Sequence, residues 1–160
     1  MKTAAKKRKG IIVAACVKDT RLKRKNDEAR EGLDAWVKFG DMYNLHFYSD
    51  IYSAALGLPK DKEELGPFEF MVTNVPFDKD MHNDFMLPKS LFYDKVYGRS
   101  FASLDRIHAT APEIRIITYT GADGIVCVKA VEEHHAYRAV RKGRDPIKDE
   151  IDEVIKAIEE

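Results

Sequence analysis

Apolar and polar positions fall into blocks along this chain, and the period of the blocks changes. Ile11–Val17 (IIVAACV) is a continuous apolar run between Gly10 and Lys18, as expected of a strand buried on both faces. Asp27–Tyr43 switches to a helical rhythm through Ala29, Leu33, Trp36, Val37 and Phe39, with Gly40 as a stop. Leu45–Tyr48 predicts a second strand, and Ser49 or Asp50 predicts the cap of a helix over Ile51–Leu58 that Pro59 ends. After the charged stretch Lys60–Pro67, Phe68–Thr73 predicts a third strand. Pro76–Lys89 has no period and is long for a connection, either a functional lid or a mobile loop. Ser90–Ala111 predicts one helix, closed by Pro112. Ile114–Tyr119 and Ile125–Val128 predict the fourth and fifth strands, and Ala130–Lys142 a helix stopped by Gly143. Asp145 and Pro146 open a last helix, whose apolar stripe is Ile147, Ile151, Val154, Ile155 and Ile158.

Strands alternating with helices predict an α/β fold: a three-layer sandwich on a five-stranded, mostly parallel, flavodoxin-like sheet, plus an extra C-terminal helix. The chain divides into a basic, mobile N-terminus (1–10), an α/β domain (11–142) and the amphipathic helix (143–160). The short link between Tyr119 and Ile125 fits an antiparallel hairpin better than a parallel crossover. The last helix can satisfy its stripe on its own domain or as an interface with a second chain.

Composition narrows the function. With 160 residues, 44% hydrophobic and 34% charged, the chain suits one soluble domain with a real core. Lys+Arg and Asp+Glu both number 27, so nucleic acid held by bulk charge is not the expected partner. The basic run Lys2–Lys9 and the acidic stretch Asp149–Glu160 read as solvated surface. Cys16 and Cys127 sit inside apolar runs, which suits small core thiols in a reducing, cytoplasmic compartment. The apolar run after the basic start is too short to span a membrane.

Chemistry in an open parallel sheet collects beyond the carboxyl ends of its strands. Asn74, Thr120 and Lys129 each follow a predicted strand, so together they mark one candidate site. Each has a plainer role: Asn74 and Thr120 as turn residues, Lys129 as a solvated lysine. Thr118-x-Thr120-Gly121-x-x-Gly124 has the glycines of a phosphate cradle, but a strand is expected after it where a phosphate loop would open a helix. Asp78, Asp80, His82 and Asp84 alternate as cation ligands can, without the glycine and closing glutamate of a calcium loop. His134 and His135 are neighbours on an expected helix and face apart, so they cannot chelate one metal as an i, i+4 pair would. GxSxG, HExxH and a full P-loop are all absent from the sequence.

FEFMVTNVPF (Phe68–Phe77), PEIRIITYTG (Pro112–Gly121) and GADGIVCVKA (Gly121–Ala130) resemble the third, fourth and approach to the fifth strand of response-regulator receiver domains. The resemblance puts Asn74 at the place of the phospho-accepting Asp, Thr120 at the switch Thr and Lys129 at the conserved-type Lys. The likeness runs from Ile11 to Lys142. It also implies an acidic, Mg²⁺-holding pair after the first strand, where this chain has Ala15–Cys16 and no carboxylate before Asp19. An asparagine offers a neutral amide, and without the carboxylates a hard cation lacks its oxygen ligands. A helix between the fourth and fifth strands is missing or squeezed into Gly121–Gly124.

Two functions follow. One is a non-catalytic signalling or protein-interaction module on a receiver-like scaffold, needing no cofactor, with a protein partner or self-association. The other is a small flavodoxin-like enzyme binding a nucleotide or flavin, with Thr118–Gly124 on the phosphate and Asp78–Asp84 as a lid.

Overall fold

The computed structural model describes residues 6–24, 26–78 and 88–160. Its sheet has five parallel strands in the order β2-β1-β3-β4-β5: β1 Lys9–Val13, β2 Asn44–Tyr48, β3 Phe70–Thr73, β4 Arg115–Thr120 and β5 Ala136–Arg141. The helices are α1 Ala14–Val17, α2 Asp27–Met42, α3 Ile51–Leu65, α4 Lys89–Val96, α5 Gly98–Thr110, α6 Gly124–Glu133 and α7 Ile147–Glu159. β1 is shorter than its apolar run, because Ala14–Val17 coils into a single helical turn.

Side-chain alternation splits the core into two layers. Ile11, Val13, Met71 and Ile116 face one side and pack with residues of α3, α5 and α6, among them Leu58, Leu104, Ile107 and Val126. Ile12, Phe70, Val72, Ile117 and Tyr119 face the other side and pack with α2 and α7. Every residue of β3 is buried, as a central strand of a parallel sheet requires. At Gly10 a β-carbon would fall inside the Phe70 ring, so the glycine makes room for that aromatic. An aromatic chain runs from Trp36 through Phe39 and Tyr43 to Phe70, with centroid separations of 5.5, 5.0 and 4.9 Å.

Several expectations are corrected. Ile125–Val128 is not a strand but part of α6: Val126, Cys127 and Ala130 turn inward while Ile125 and Val128 stay exposed, a helical division of a β-branched run. The fifth strand is instead Ala136–Arg141, expected to be helical; as an edge strand it is weakly apolar and buries only Ala136 and Val140. With α6 as the crossover, all ladders are parallel and no hairpin is needed. Ser90–Ala111 breaks at Tyr97 into α4 and α5. α3 continues past Pro59, whose ring lies on the exposed side, to Leu65.

The α7 stripe is used inside the molecule. Ile147, Ile151, Val154 and Ile158 are buried against α2, β4 and β5, and only Ile155 is half-buried. Each full burial contributes about 1.5–3 kcal/mol. The stripe is thus covered within the chain itself. Pro146, not Asp145, stands at the helix start and caps it with no side chain. Instead Glu150 Oε2 accepts from the backbone N–H of Arg144 and Asp145 at 2.9 and 3.0 Å, an acid reaching back over the helix entry.

Candidate functional site

The carboxyl ends of β3 and β4 open on a cleft of about 410 Å³ lined by Asn74, Val75, Pro76, Phe77, Tyr97, Thr120, Gly121, Ala122 and Asp123. Asn74 and Thr120 therefore meet, as expected. Asn74 Oδ1 is buried without a hydrogen-bond partner, and so is the hydroxyl of Thr118 deeper in β4. Thr120 Oγ1 accepts from the N–H of Ala122 at 3.4 Å and shapes the turn. The far wall is set by pinning: the Ser100 hydroxyl donates to the Pro76 carbonyl, and the Asp78 N–H donates to the Val96 carbonyl at 2.7 Å. Among the described residues Asp123 carries the only charge lining the cleft, and it accepts from the Tyr93 hydroxyl at 2.9 Å. Burial, with Asp123 nearby, pushes the Tyr97 phenol above its ordinary pKa.

Lys129 does not join them. It lies on α6, where its ammonium pairs with Asp94 at 3.1 Å and Glu133 at 3.3 Å. The lysine just past β5 is Lys142, misplaced in the sequence because β5 was. Its backbone N–H donates to the Thr120 carbonyl at 2.8 Å. Its Nζ crosses above the Tyr119 ring at 4.9 Å and donates to the carbonyls of Cys16 and, at 3.0 Å, Lys18. Burial draws its pKa below the ordinary lysine value.

At the end of β1 stand Ala14, Ala15 and Cys16, with no carboxylate. Cys16 is fully buried, and burial pushes its thiol up to about 12, so it stays an unreactive core group. Asp19 turns instead to Arg21, whose Nη2 sits 2.6 Å from it and 2.6 Å from Glu150. Burial favours the neutral Asp19 acid, yet the Arg21 hydrogen bonds outweigh it and hold the carboxyl below its usual range. This charged network went unseen in the sequence because Glu150 looks there like one more surface acid.

The stretch Thr118–Gly124 runs strand, loop, helix, contrary to expectation, since Gly124 opens α6. A β-carbon on Gly124 would lie 3.5 Å from Arg141 Nη1. His134 Nδ1 lies 3.1 Å from Asp105 and its ring stacks on Phe101 at 4.2 Å, while His135, with φ 69°, stacks on His108 at 4.0 Å. No group of metal-ligating side chains forms among the described residues. Asp80, His82 and Asp84 lie outside those residues. No helix among them is long and apolar enough to cross a membrane.

Neither a family model nor a curated protein sequence matches the chain. Solved structures do. The signal receiver domain of an HD domain-containing protein from Pseudomonas fluorescens Pf-5 is 19% identical at a TM-score of 0.54, over 99% of this chain and 92% of that one. A response regulator from Thermotoga maritima is 14% identical at 0.55, over 96% and 99%. A putative pilus assembly-related protein from Burkholderia pseudomallei is 13% identical at 0.51, over 99% and 94%. This chain has the receiver-domain fold. In receiver terms, α2 and α7 cover one face of the sheet, α3, α5 and α6 the other, and the Asn74 cleft opens at the end where the carboxyl termini of β3 and β4 meet.

Proposed function

We propose that the chain is a pseudo-receiver: a non-catalytic signalling module that works through contact with a protein partner, without aspartyl-phosphate chemistry. The observation that carries this reading is Asn74, an amide just after β3 with its oxygen buried and unpaired, while the neighbouring strand β1 is followed by Ala14, Ala15 and Cys16. An amide is not a phosphoryl acceptor, and among the described residues lining the cleft Asp123, already bonded to Tyr93, is the one carboxylate, too few for a Mg²⁺ site. Lys142, spent on two backbone carbonyls, is not free to hold a phosphoryl oxygen. Exposed Ile125, Val128 and Tyr137 on α6 and β5 supply apolar surface for a partner. Buried thiols suit a cytoplasmic setting.

The test is intact mass after treatment with a small acyl phosphate and Mg²⁺. The mass of the wild-type chain stays unchanged, and Asn74→Asp alone does not gain a stable phosphoryl group, because the β1 carboxylates are still missing. A phosphoryl adduct on the wild-type chain that survives removal of surface Ser and Thr acceptors overturns the reading.

One observation favours the second reading, a flavin- or nucleotide-binding enzyme: the Gly121–Gly124 loop opens a helix, as a phosphate cradle does. A visible absorbance band in the purified protein supports it for flavin.

A further inference from the structure

The sheet ends in two edge strands, β5 and β2, and they are built differently. Charged side chains and irregular ladders guard an edge against pairing with another chain. β5 has both: Arg138 and Arg141 in the strand, and a register shift at Ile116/Ile117 in its ladder with β4. β2 reads Asn44-Leu45-His46-Phe47-Tyr48, without lysine, arginine or proline, and its register with β1 is unbroken. The Asn44 N–H donates to the Arg8 carbonyl at 2.9 Å, so Asn44 faces β1. Alternate residues of a parallel strand turn their N–H and C=O to the same side. His46 and Tyr48 therefore face β1 as well, and Leu45 and Phe47 turn both groups outward. Among the described residues no backbone group outside the sheet takes them.

The side chains beside this edge are apolar. Leu45 packs into the core layer under α2, and Phe47, on the same side of the strand, is 61% exposed. α7 lies along one flank of α2, where Glu31, Ala35 and Lys38 line the groove between the two helices. Ala29 and Phe39 of α2 turn to the sheet. The helical period then puts Leu33 and Val37 on the other flank, toward β2, and they are 49% and 64% exposed. Leu33, Val37 and Phe47 thus border an edge whose outward backbone is unpaired.

We infer that β2 pairs antiparallel with β2 of a second copy of this chain, joining the two sheets across a two-fold axis at His46. In that register Leu45 exchanges both backbone hydrogen bonds with Phe47 of the other copy, and Phe47 with its Leu45. All outward groups of one strand are satisfied by the same groups of the other, the self-complementarity a two-fold interface requires. A slip by one residue would set outward groups against inward ones, and a slip by two would leave half of them unpaired within the strand. Directly opposite side chains come within about 4.5–5.5 Å, so Phe47 lands on Leu45 of the other copy, beside its Leu33–Val37 flank. An unrelated strand would close the ladder, whereas a second copy also brings a matching apolar border. The inference does not depend on the pseudo-receiver reading, since none of the described residues lining the Asn74 cleft comes from α2 or β2.

The experiment is sedimentation velocity on the full chain from about 1 μM to about 1 mM, with amide hydrogen exchange at both ends of the range. The mass is expected to rise from 18.3 kDa toward twice that value. Exchange at the Leu45 and Phe47 amides should slow by at least about tenfold over the same range, and that of His46, which already faces β1, should change less. Phe47→Lys and, separately, Val37→Lys each put a charge at an exposed position of the border. Each should weaken association by at least about tenfold, with far-UV spectra and melting of the dilute chain unchanged to show the fold is kept. A chain that stays monomeric throughout overturns the inference and leaves the edge to a strand of another protein. A dimer that both substitutions leave intact overturns it too, as does one whose Leu45 and Phe47 amides exchange as fast as in the monomer.

Discussion

Tyr119 and Glu150 meet at 2.7 Å in a space closed to solvent, the phenol of β4 donating to the carboxylate of α7. Burial and the bond to Glu150 push the phenol well above its ordinary pKa, so it remains a donor at any working pH. Arg21 shares the same oxygen, and the other oxygen holds two backbone N–H groups ahead of α7. One carboxylate thus joins the last helix to β4 and to the loop after β1.

Replacing Glu150 by Ala leaves the Tyr119 hydroxyl unpaired and takes from Arg21 one of its two carboxylates, Asp19 remaining. Leaving a buried polar group unsatisfied costs about 1–3 kcal/mol. For a chain of this size that lowers the melting temperature by about 2–4 °C per kcal/mol. Glu150→Gln keeps the shape and one acceptor and is expected to lose less. Calorimetry on the two variants checks the order, and equal melting temperatures for wild type and Glu150→Ala would show the network to be idle.

Asp19 gives the fold an acid limit. Its carboxyl is held below its reference value of 3.8 because Arg21 offsets the burial that alone would raise it. A depressed folded pKa contributes stability that is fully present above the unfolded value. That stability is lost as pH falls through the folded value. Urea midpoints should therefore decline below about pH 4, and Asp19→Asn should flatten that part of the decline.

Gly10→Ala should be disruptive although the position is in a strand. The added methyl meets the Phe70 ring, and overpacking of this kind costs about 1–3 kcal/mol. Phe70→Leu in the same chain should recover part of the loss, because the two changes share one space. Denaturation of the single and double variants measures that coupling; strict additivity would contradict the close approach.

On α7 two isoleucines one turn apart should behave differently. Ile151 is fully buried and Ile155 only partly. Ile151→Asp buries an unpaired charge and is expected to cost more than about 4 kcal/mol. Ile155→Asp should leave a folded protein of unchanged mass in light scattering. A fall in mass with the fold retained would mean that Ile155 holds a second chain.

The layered α/β fold was legible because its central strands are solidly apolar: Ile11–Val13, Phe70–Thr73 and Arg115–Thr120 are each hydrophobic enough to be read without neighbours. The errors cluster at the edge. Ala136–Arg141 contributes two inward side chains, so its periodicity is faint, whereas IVCV in α6 is β-branched and misleads by composition. That exchange of strand and helix made Lys129, rather than Lys142, the lysine expected just past the fifth strand. Asn74 and Thr120 were found because each directly follows a legible strand. Glu150 and Arg21 were not, because their partners lie 129 residues apart in sequence and no local pattern announces a pair of that kind.

The reach of Lys142 has a mechanical side. From the end of edge strand β5 its side chain passes over β4 and ties to the carbonyls after β1, two strands further in. A pull that peels β5 from the sheet would load this strut before the ladder could unzip one hydrogen bond at a time. The force would be shared with the centre of the sheet, and the edge strand, usually the first piece of such a sandwich to let go, would yield together with its neighbours.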